Sequence, residues 1–273
     1  MKKKLLSLTL AMAMVMSLAA CGSKDAATEG ASNTDAATES DMEAIQAKGT
    51  LVVGVTDFEP MDYKDTDGEW IGFDADLAKV FADSLGVDVE FVEIDWDNKV
   101  LELDGGTVDC IWNGMTLTDE VKSAMETTNA YCNNAQVVIV KKSVADKYQD
   151  TDSLSELNFA VEAGSAGAEQ AEAYGLNYTE VSNQAAALME VAAGTSDAAI
   201  IDSLMAAAMV GEGTSYENLT YTVSLNSEEY GVGFRKGSDL AAAFNDFLKT
   251  SYEDGTIASI AETYGVQAAL IAQ

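Results

Sequence analysis

A short internal repeat is the feature that most constrains the fold of this chain. The segments 103–109 and 191–197 end in Gly-Thr-Val-Asp and Gly-Thr-Ser-Asp, and each leads into an apolar run. Both patterns predict a helix, a turn and then a buried strand. We predict that the first strand ends at Asn113 and the second at Asp202. Because open α/β sheets bind ligands at strand ends, the repeat predicts an α/β fold in which two similar halves face one cleft.

The residues that follow the first of these strands are small and polar, which core packing does not require. Gly114 allows a ligand to lie close to the backbone, and the side chains of Asn113 and Thr116 can donate and accept hydrogen bonds. These three residues are therefore candidate ligand contacts. A polar turn after a core strand remains the alternative interpretation.

Composition and charge exclude several classes of function. The chain has 273 residues, of which 48% are hydrophobic, which is enough for one large or two small cores. Its formal charge of −31 becomes −34 without the three lysines of the N-terminal segment, so nucleic acid is not an expected partner. The chain has no histidine, which excludes Ser-His-Asp catalysis and HExxH zinc sites. We expect no metal and no cofactor.

The N-terminus has the pattern of an export signal. Three lysines precede an apolar run that is short for a membrane span, so residues 1–20 are predicted to be a lipoprotein signal peptide. The run ends in Leu-Ala-Ala-Cys, which resembles the bacterial lipobox and makes Cys21 the lipidated residue. An ordinary leader with an incidental cysteine is the alternative. Residues 21–40 lack large apolar side chains and are predicted to be a disordered tether.

The rest of the chain alternates between strand and helix patterns. A hairpin turn at Asp65–Glu69 is favoured over a calcium loop, because the segment lacks the length and terminal glutamate of an EF-hand. Ser165 lies in a Gly/Ser turn between a strand and a helix, where it can cap the helix or bind an anion. Cys110 and Cys132 lie in apolar contexts, and both a disulfide and two free thiols remain possible. Strands are predicted at 51–55, 87–94, 136–140, 159–163 and 230–237, and helices at 72–85, 168–174, 239–252 and 257–264.

The order of several motifs resembles the family 3 extracytoplasmic solute-binding proteins of amino-acid ABC importers, over about residues 41–273. The resemblance implies a type II periplasmic-binding-protein-like fold, in which two lobes are joined by two crossing strands and close around one small solute. Lobe 1 would comprise 41–135 and 229–273, and lobe 2 would comprise 136–228. The motifs are Gly54-Val55, Phe58-Glu59-Pro60, Gly72-Phe73-Asp74-Ala75-Asp76-Leu77-Ala78, Asp95-Trp96-Asp97, Asn113-Gly114-Met115-Thr116-Leu117-Thr118, Ala163-Gly164-Ser165, Asp197-Ala198-Ala199-Ile200-Ile201-Asp202 and Asp254-Gly255-Thr256.

The resemblance also implies roles for individual residues. Phe58 and Trp96 correspond to the aromatic pair that sandwiches the ligand, and flat aromatic faces bury methylenes or hold a cation. Gly114 would offer its carbonyl to the ligand ammonium, and Thr116 would bind the carboxylate. Asp202 corresponds to the carboxylate that pairs with the ammonium.

The sequence departs from the family on the side of the site that binds the ligand carboxylate. Val121 occupies the position of the usual arginine, and Ala166 that of a threonine. Lys122 is a possible substitute, while Trp112 faces either the cleft or the core. The solute is therefore either a polar amino acid held by another cation or a cationic, carboxylate-poor relative.

The resemblance implies a substrate-binding component of an ABC importer and not an enzyme. Its partners would be a small amino acid or cationic amine and the ABC permease subunits. The protein would be a monomer on the extracytoplasmic face of the bacterial cell membrane, touching the membrane through its lipid anchor only. Two alternatives remain: a sensory protein that presents its solute to a membrane receptor, and a dehydratase of the same fold, which would need a carboxylate clamp that this sequence lacks.

Overall fold

The computed structural model describes residues 40–273. The strands are β1 (Thr50–Val55), β2 (Tyr63–Lys64), β3 (Trp70–Ile71), β4 (Asp88–Glu93), β5 (Cys110–Thr116), β6 (Glu126–Thr127), β7 (Cys132–Asn134), β8 (Gln136–Lys141), β9 (Asn158–Glu162), β10 (Asn177–Val181), β11 (Ala198–Asp202), β12 (Leu219–Ser224) and β13 (Glu228–Phe234). The α-helices are α1 (Asp41–Lys48), α2 (Phe73–Leu85), α3 (Lys99–Asp104), α4 (Asp119–Ala124), α5 (Ala166–Ala173), α6 (Gln184–Ala193), α7 (Ser203–Met209), α8 (Leu240–Glu253) and α9 (Thr256–Tyr264).

The strands form two main sheets and one hairpin. The first sheet has the order β4-β1-β5-β13-β6, and β7 also pairs with β13. The second has the order β10-β9-β11-β8-β12. The chain passes from the first sheet to the second between β7 and β8, and it returns between β12 and β13. This strand composition supports our proposed lobes, 41–135 with 229–273 and 136–228.

Both predicted helix–turn–strand units are present. The first runs from α3 into β5, and the second runs from α6 into β11. β5 is parallel to β1, and β11 is parallel to β9, so each unit contributes a parallel strand to a different sheet. The repeat therefore predicted the two-sheet architecture correctly, because apolar strands that follow helices are typical of parallel sheets.

The prediction that the first strand ends at Asn113 is wrong, because β5 continues to Thr116. Thr116 pairs with Tyr230 and Met115 pairs with Gly231, so the late strand β13 extends the ladder. Asn113 therefore lies in the middle of a strand. The predicted hairpin is confirmed: β2 and β3 pair antiparallel, and Asp65 Oδ1 accepts hydrogen bonds from two backbone amides of the turn.

Burial decides two questions that the sequence left open, the orientation of Trp112 and the state of the two cysteines. Trp112 is fully buried, and its ring packs edge-on against Phe244 with 4.6 Å between centroids. Its suggested role at the cleft is therefore wrong, and its core interpretation is the correct one. Cys110 and Cys132 are both buried and free, so the two thiols do not form a disulfide.

The N-terminal predictions fall almost entirely outside the described residues. The signal peptide 1–20 and the lipidated Cys21 lie outside them, as does the tether 21–40 except for its last residue. Ser40 is the N-cap of α1 and accepts a hydrogen bond from Glu43, so this residue belongs to the folded part. Within the described range 40–273, no helix combines the length and apolar character needed to cross a bilayer.

Candidate functional site

A cavity of about 280 Å³ lies where strands from the two sheets meet. Its lining includes β5 from the first sheet and the last residues of β9 and β11 from the second. Seven residues proposed from the sequence as ligand contacts line this one cavity: Phe58, Trp96, Asn113, Gly114, Thr116, Ser165 and Asp202. The structure thus brings together residues that are as far apart in the chain as Phe58 and Asp202.

Gly114 is positioned by close packing against an aromatic ring. Its φ of +54° lies in the left-handed region, and a Cβ atom placed there would lie 2.4 Å from Phe58 Cε1. The Gly114 amide donates a hydrogen bond of 2.7 Å to Asp74 Oδ2, which is fully buried. Burial raises the pKa of Asp74 to about 6. Only glycine fits between this carboxylate and Phe58, so the backbone can line the cavity.

The side chain of Asn113 is used within the protein. Its Oδ1 accepts hydrogen bonds from the amide and hydroxyl of Thr56, at 3.1 and 2.7 Å. Its Nδ2 donates to the Thr56 carbonyl at 3.0 Å and to Asp62 Oδ2 at 2.9 Å. These bonds occupy the amide group, so Asn113 is better placed to fix the loop at Thr56 than to bind a solute through its side chain.

Trp96 lines the cavity next to a lysine that sequence reasoning missed. Lys99 Nζ lies 5.1 Å from the centroid of the Trp96 ring. It donates hydrogen bonds to the Trp96 carbonyl at 3.3 Å and to the Gly164 carbonyl at 2.8 Å. Burial lowers the pKa of Lys99, although the negative charges of several nearby acidic groups partly raise it again. The sequence feature that could have identified Lys99 is its position three residues after Trp96, at the start of a helix.

Lys122, the cation suggested from the sequence, is not among the residues that line the cavity. It lies on α4, where it is exposed and its backbone carbonyl accepts a hydrogen bond from Lys236. The suggestion that Lys122 replaces the arginine is therefore wrong. The lysine that lines the cavity is Lys99, at the start of α3.

Ser165 and Thr116 lie on opposite sides of the cavity. Ser165 is the N-cap of α5, and its Oγ accepts a hydrogen bond of 3.2 Å from the Ala168 amide. The start of α5 therefore carries amide groups and the positive end of the helix dipole toward the cavity. Thr116 Oγ1 donates a hydrogen bond of 2.9 Å to Glu228 Oε1.

Asp202 is the most heavily hydrogen-bonded carboxyl group of the site. Its Oδ1 accepts from Asn134, from Gln136 at 2.9 Å and from the Tyr230 hydroxyl at 2.7 Å. Its Oδ2 accepts from Gln184. Three of these donors lie on β7, β8 and β13, the strands at which the chain changes sheets. Asp202 therefore links the cavity to the two connections between the sheets.

The pKa of Asp202 is raised to about 8, first by burial and then by the nearby negative charge of Glu228. Glu228 shares two amide donors with Asp202, because Asn134 and Gln136 also donate to Glu228 Oε1 at 2.7 and 2.8 Å. Two carboxyl groups this close cannot both ionise at low cost.

Glu162 is a second buried carboxyl group of the cavity that sequence reasoning missed. It is only 3% exposed, and its Oε1 has no hydrogen-bond partner within residues 40–273. Burial, followed by repulsion from Asp202, raises its pKa to about 8, although the positive charge of Lys99 opposes the shift. The sequence feature that could have identified Glu162 is its place at the end of a strand that is otherwise apolar after its first residue.

The two sides of the cavity touch. Lys99 from the first side donates to the Gly164 carbonyl on the second, and a Cβ atom at Gly164 would lie 2.8 Å from the Cα of Asp97. Backbones this close leave no gap between the two sides of the cavity at this point.

The model of the family described as "Bacterial extracellular solute-binding proteins, family 3" matches residues 51–267. The chain belongs to this family. It is 32% identical over 264 residues to the ABC transporter glutamine-binding protein GlnH of Bacillus subtilis, covering 93% of this chain and 94% of that protein. It is 26% identical over 228 residues to the L-cystine-binding protein TcyJ of Escherichia coli K12, covering 82% and 85%.

Solved structures agree with this assignment. A crystal structure of an ancestral amino acid-binding protein, a precursor of cyclohexadienyl dehydratase, matches with a TM-score of 0.76 and 33% identity, covering 82% of this chain and 99% of that one. The resemblance deduced from the motifs and the two-lobed type II fold are therefore confirmed.

The cavity of this family 3 protein is strongly acidic. Val121 lines it, and no arginine does, so Lys99 is its one cationic side chain among the described residues. Seven carboxyl groups face this single lysine: Asp97, Glu120, Glu162, Glu169, Glu172, Glu180 and Asp202. The surroundings favour a positively charged solute over an anionic one.

Proposed function

We propose that this family 3 solute-binding protein is the substrate-binding component of an ABC importer and captures a small amino acid or amine-bearing solute between two closing lobes. The observation that carries the proposal is the convergence of seven predicted contact residues, from segments of both proposed lobes, on one cavity of about 280 Å³. Relatives described as glutamine-binding and L-cystine-binding proteins support an amino acid or a related amine as the solute.

The roles of the contact residues follow from their chemistry. Phe58 and Trp96 supply flat faces for the apolar part of the solute or for a cation. The backbone at Gly114 supplies a carbonyl, and Asp202 supplies a carboxylate for the ammonium. Ser165 and Thr116 offer hydroxyl and amide groups, although each hydroxyl already has one partner in the protein.

Closure of the two lobes would allow a transporter to distinguish the solute-bound protein from the empty one. A solute that touches both lobes favours the closed state by its differential affinity for the two states. The closed form presents surfaces of both lobes together, and we propose that ABC permease subunits recognise them. The protein would act as a monomer, tethered to the extracytoplasmic side of the membrane through a lipid at Cys21.

Tryptophan fluorescence tests the proposal. Of the three tryptophans, Trp96 alone lines the cavity, so saturable quenching or enhancement is expected with amino acids or amines. Trp96→Phe should remove most of the signal, whereas Trp70→Phe, outside this cavity, should keep it. A panel of the common amino acids and of simple amines that produces no saturable change would contradict the proposal.

The structure bears on the dehydratase alternative in two opposite ways. Glu162 provides a cavity acid with a raised pKa, which such chemistry needs. Among residues 40–273, no arginine lines the cavity to hold a substrate carboxylate, and Val121 lies at the expected position. We therefore propose binding without turnover. Incubation with cyclic carboxylic acids and chromatography of the products checks this, and substrate loss with multiple turnovers would reverse the assignment.

A further inference from the structure

Two acidic side chains stand at the ends of neighbouring parallel strands. Glu162 is the last residue of β9, and Asp202 is the last residue of β11. The two strands pair in parallel, so both residues lie at the same edge of the second sheet. Both are more than nine-tenths buried, and both line the cavity. The edge of the sheet therefore presents two carboxyl groups to one solute.

Both groups retain capacity to accept hydrogen bonds from a solute. Glu162 Oε1 has no partner within the described part of the chain. Within the same residues, Asp202 Oδ2 accepts from Gln184 alone, and a carboxylate oxygen has about two acceptor positions. A buried carboxyl oxygen without a donor costs stability, so a donor from the solute would remove that cost.

We propose that Glu162 is the second carboxylate of the ammonium site and holds, together with Asp202, a positively charged group of the solute. The solute is then a cation whose positive charge, and not a carboxylate, dominates its affinity. This inference rests on the proposed binding function and narrows the class of solute to primary amines, amidines and guanidines.

The rival solute, a polar amino acid anchored by its carboxylate, fits the cavity less well. Within the described range, Lys99 is the one cationic side chain in the lining, and its Nζ already donates to the carbonyls of Trp96 and Gly164. A carboxylate bound there would also face the acidic groups that outnumber Lys99 in the lining. A cation meets attraction from the same groups.

Binding of a cation should release protons. Glu162 faces Asp202 and Lys99, and Asp202 faces Glu228 and Tyr230. Because the pKa of Glu162 and that of Asp202 are both about 8, these carboxyl groups hold protons at neutral pH. A cation stabilises their ionised forms and displaces those protons.

The test compares matched solutes and matched variants. Arginine is titrated against agmatine, and lysine against cadaverine, because each pair differs only by the carboxylate. Glutamine serves as the solute with an uncharged side chain. The variants are Glu162→Gln and, as the control, Glu156→Gln, which removes one charge from an exposed position outside the cavity. Calorimetry at pH 7 in buffers of different ionisation enthalpy reports affinity and proton release together.

We expect agmatine or cadaverine to bind at least as tightly as its parent amino acid, and glutamine to bind at least tenfold more weakly. Glu162→Gln should weaken amine binding at least tenfold and reduce proton release, while Glu156→Gln leaves both unchanged. Equal or tighter binding of glutamine would overturn this inference and leave the binding function standing, and so would unaltered amine binding by a folded Glu162→Gln protein. Failure of the whole panel to bind would overturn both.

Discussion

The amide of Gly114 donates a 2.7 Å hydrogen bond to the buried carboxylate of Asp74. The hydroxyl of Tyr131 donates to both oxygens of the same carboxylate, at 2.9 and 2.7 Å. The start of α2 is thereby tied to the middle of β5, and Phe58 packs over the junction. The backbone that faces the cavity is therefore held by a carboxylate that does not itself line the cavity.

Gly114→Ala should abolish tight binding. The new methyl group would lie 2.4 Å from Phe58 Cε1, so the aromatic ring must move out of its place in the cavity. We expect affinity to fall at least tenfold, with stability lowered by about 1–2 kcal/mol from the left-handed backbone alone. Gly237→Ala is the control, because its φ is +81° but no atom lies within 4 Å of the added carbon. Equal affinity in both variants would show that the packing against Phe58 does not matter for binding.

Gly164→Ala should prevent closure. Its Cβ would lie 2.7 Å from Asp97 Oδ1 and 2.8 Å from Asp97 Cα, across the contact between the two sides. Because one of these atoms belongs to the backbone, the lobes must separate to make room. Small-angle scattering with saturating solute should show a larger radius of gyration than for the parent protein. Gly175→Ala, with a nearly identical φ of +64° and no neighbour within 4 Å, should close normally, and a compact Gly164→Ala protein would refute the prediction.

The stability of the solute-free protein should fall as the pH rises. Burial raises the pKa of Glu162 and Asp202 to about 8 and that of Asp74 to about 6, all above their values in an unfolded chain. The folded state therefore binds more protons than the unfolded state between about pH 4 and 8, and stability contributed by protonation is lost across that range. Urea unfolding at pH 6 and pH 8 measures this loss, and each of the two carboxyl groups with a pKa of about 8 should contribute about 1 kcal/mol per pH unit.

Glu162→Gln provides the internal check on that slope, since it removes one of the titrating groups. The pH dependence should become shallower in this variant and stay unchanged in Glu156→Gln. Stability that rises between pH 6 and pH 8 in the parent protein would contradict the assignment of protonated carboxyl groups to the cavity.

Cys110 and Cys132 should be unreactive in the native protein. Both thiols are buried and free, and burial raises the pKa of each, so little thiolate forms at neutral pH. Iodoacetamide labelling followed by peptide mass spectrometry should find both residues unmodified without urea and modified in urea. A peptide pair linked through these two residues, or rapid labelling of the native protein, would disagree with the structure.

Features encoded by neighbouring residues were predictable from the sequence. The apolar runs predicted the buried strands, and the repeated Gly-Thr-x-Asp turns predicted that two strands would present polar groups to one cleft. Seven of the nine proposed contact residues line the cavity, because their motifs are short segments that local sequence defines.

Features that depend on distant partners were not predictable. β5 extends to Thr116 because β13, more than a hundred residues later, pairs with it. The amide of Asn113 is occupied by Thr56 and Asp62, which a one-dimensional pattern does not place beside it. Glu162 resembles any glutamate at a strand end until the fold buries it, and the side to which Trp112 points depends on the position of Phe244.

The hydrogen bonds of Asp202 have a consequence for evolution and engineering. Asn134, Gln136 and Tyr230 hold this carboxylate from the segments where the chain crosses between sheets, so they shape the site without lining its cavity. Substitutions at these three positions can change the affinity for the solute while the residues that line the cavity stay the same. A designer of a biosensor can therefore target these three positions without altering the residues that line the cavity.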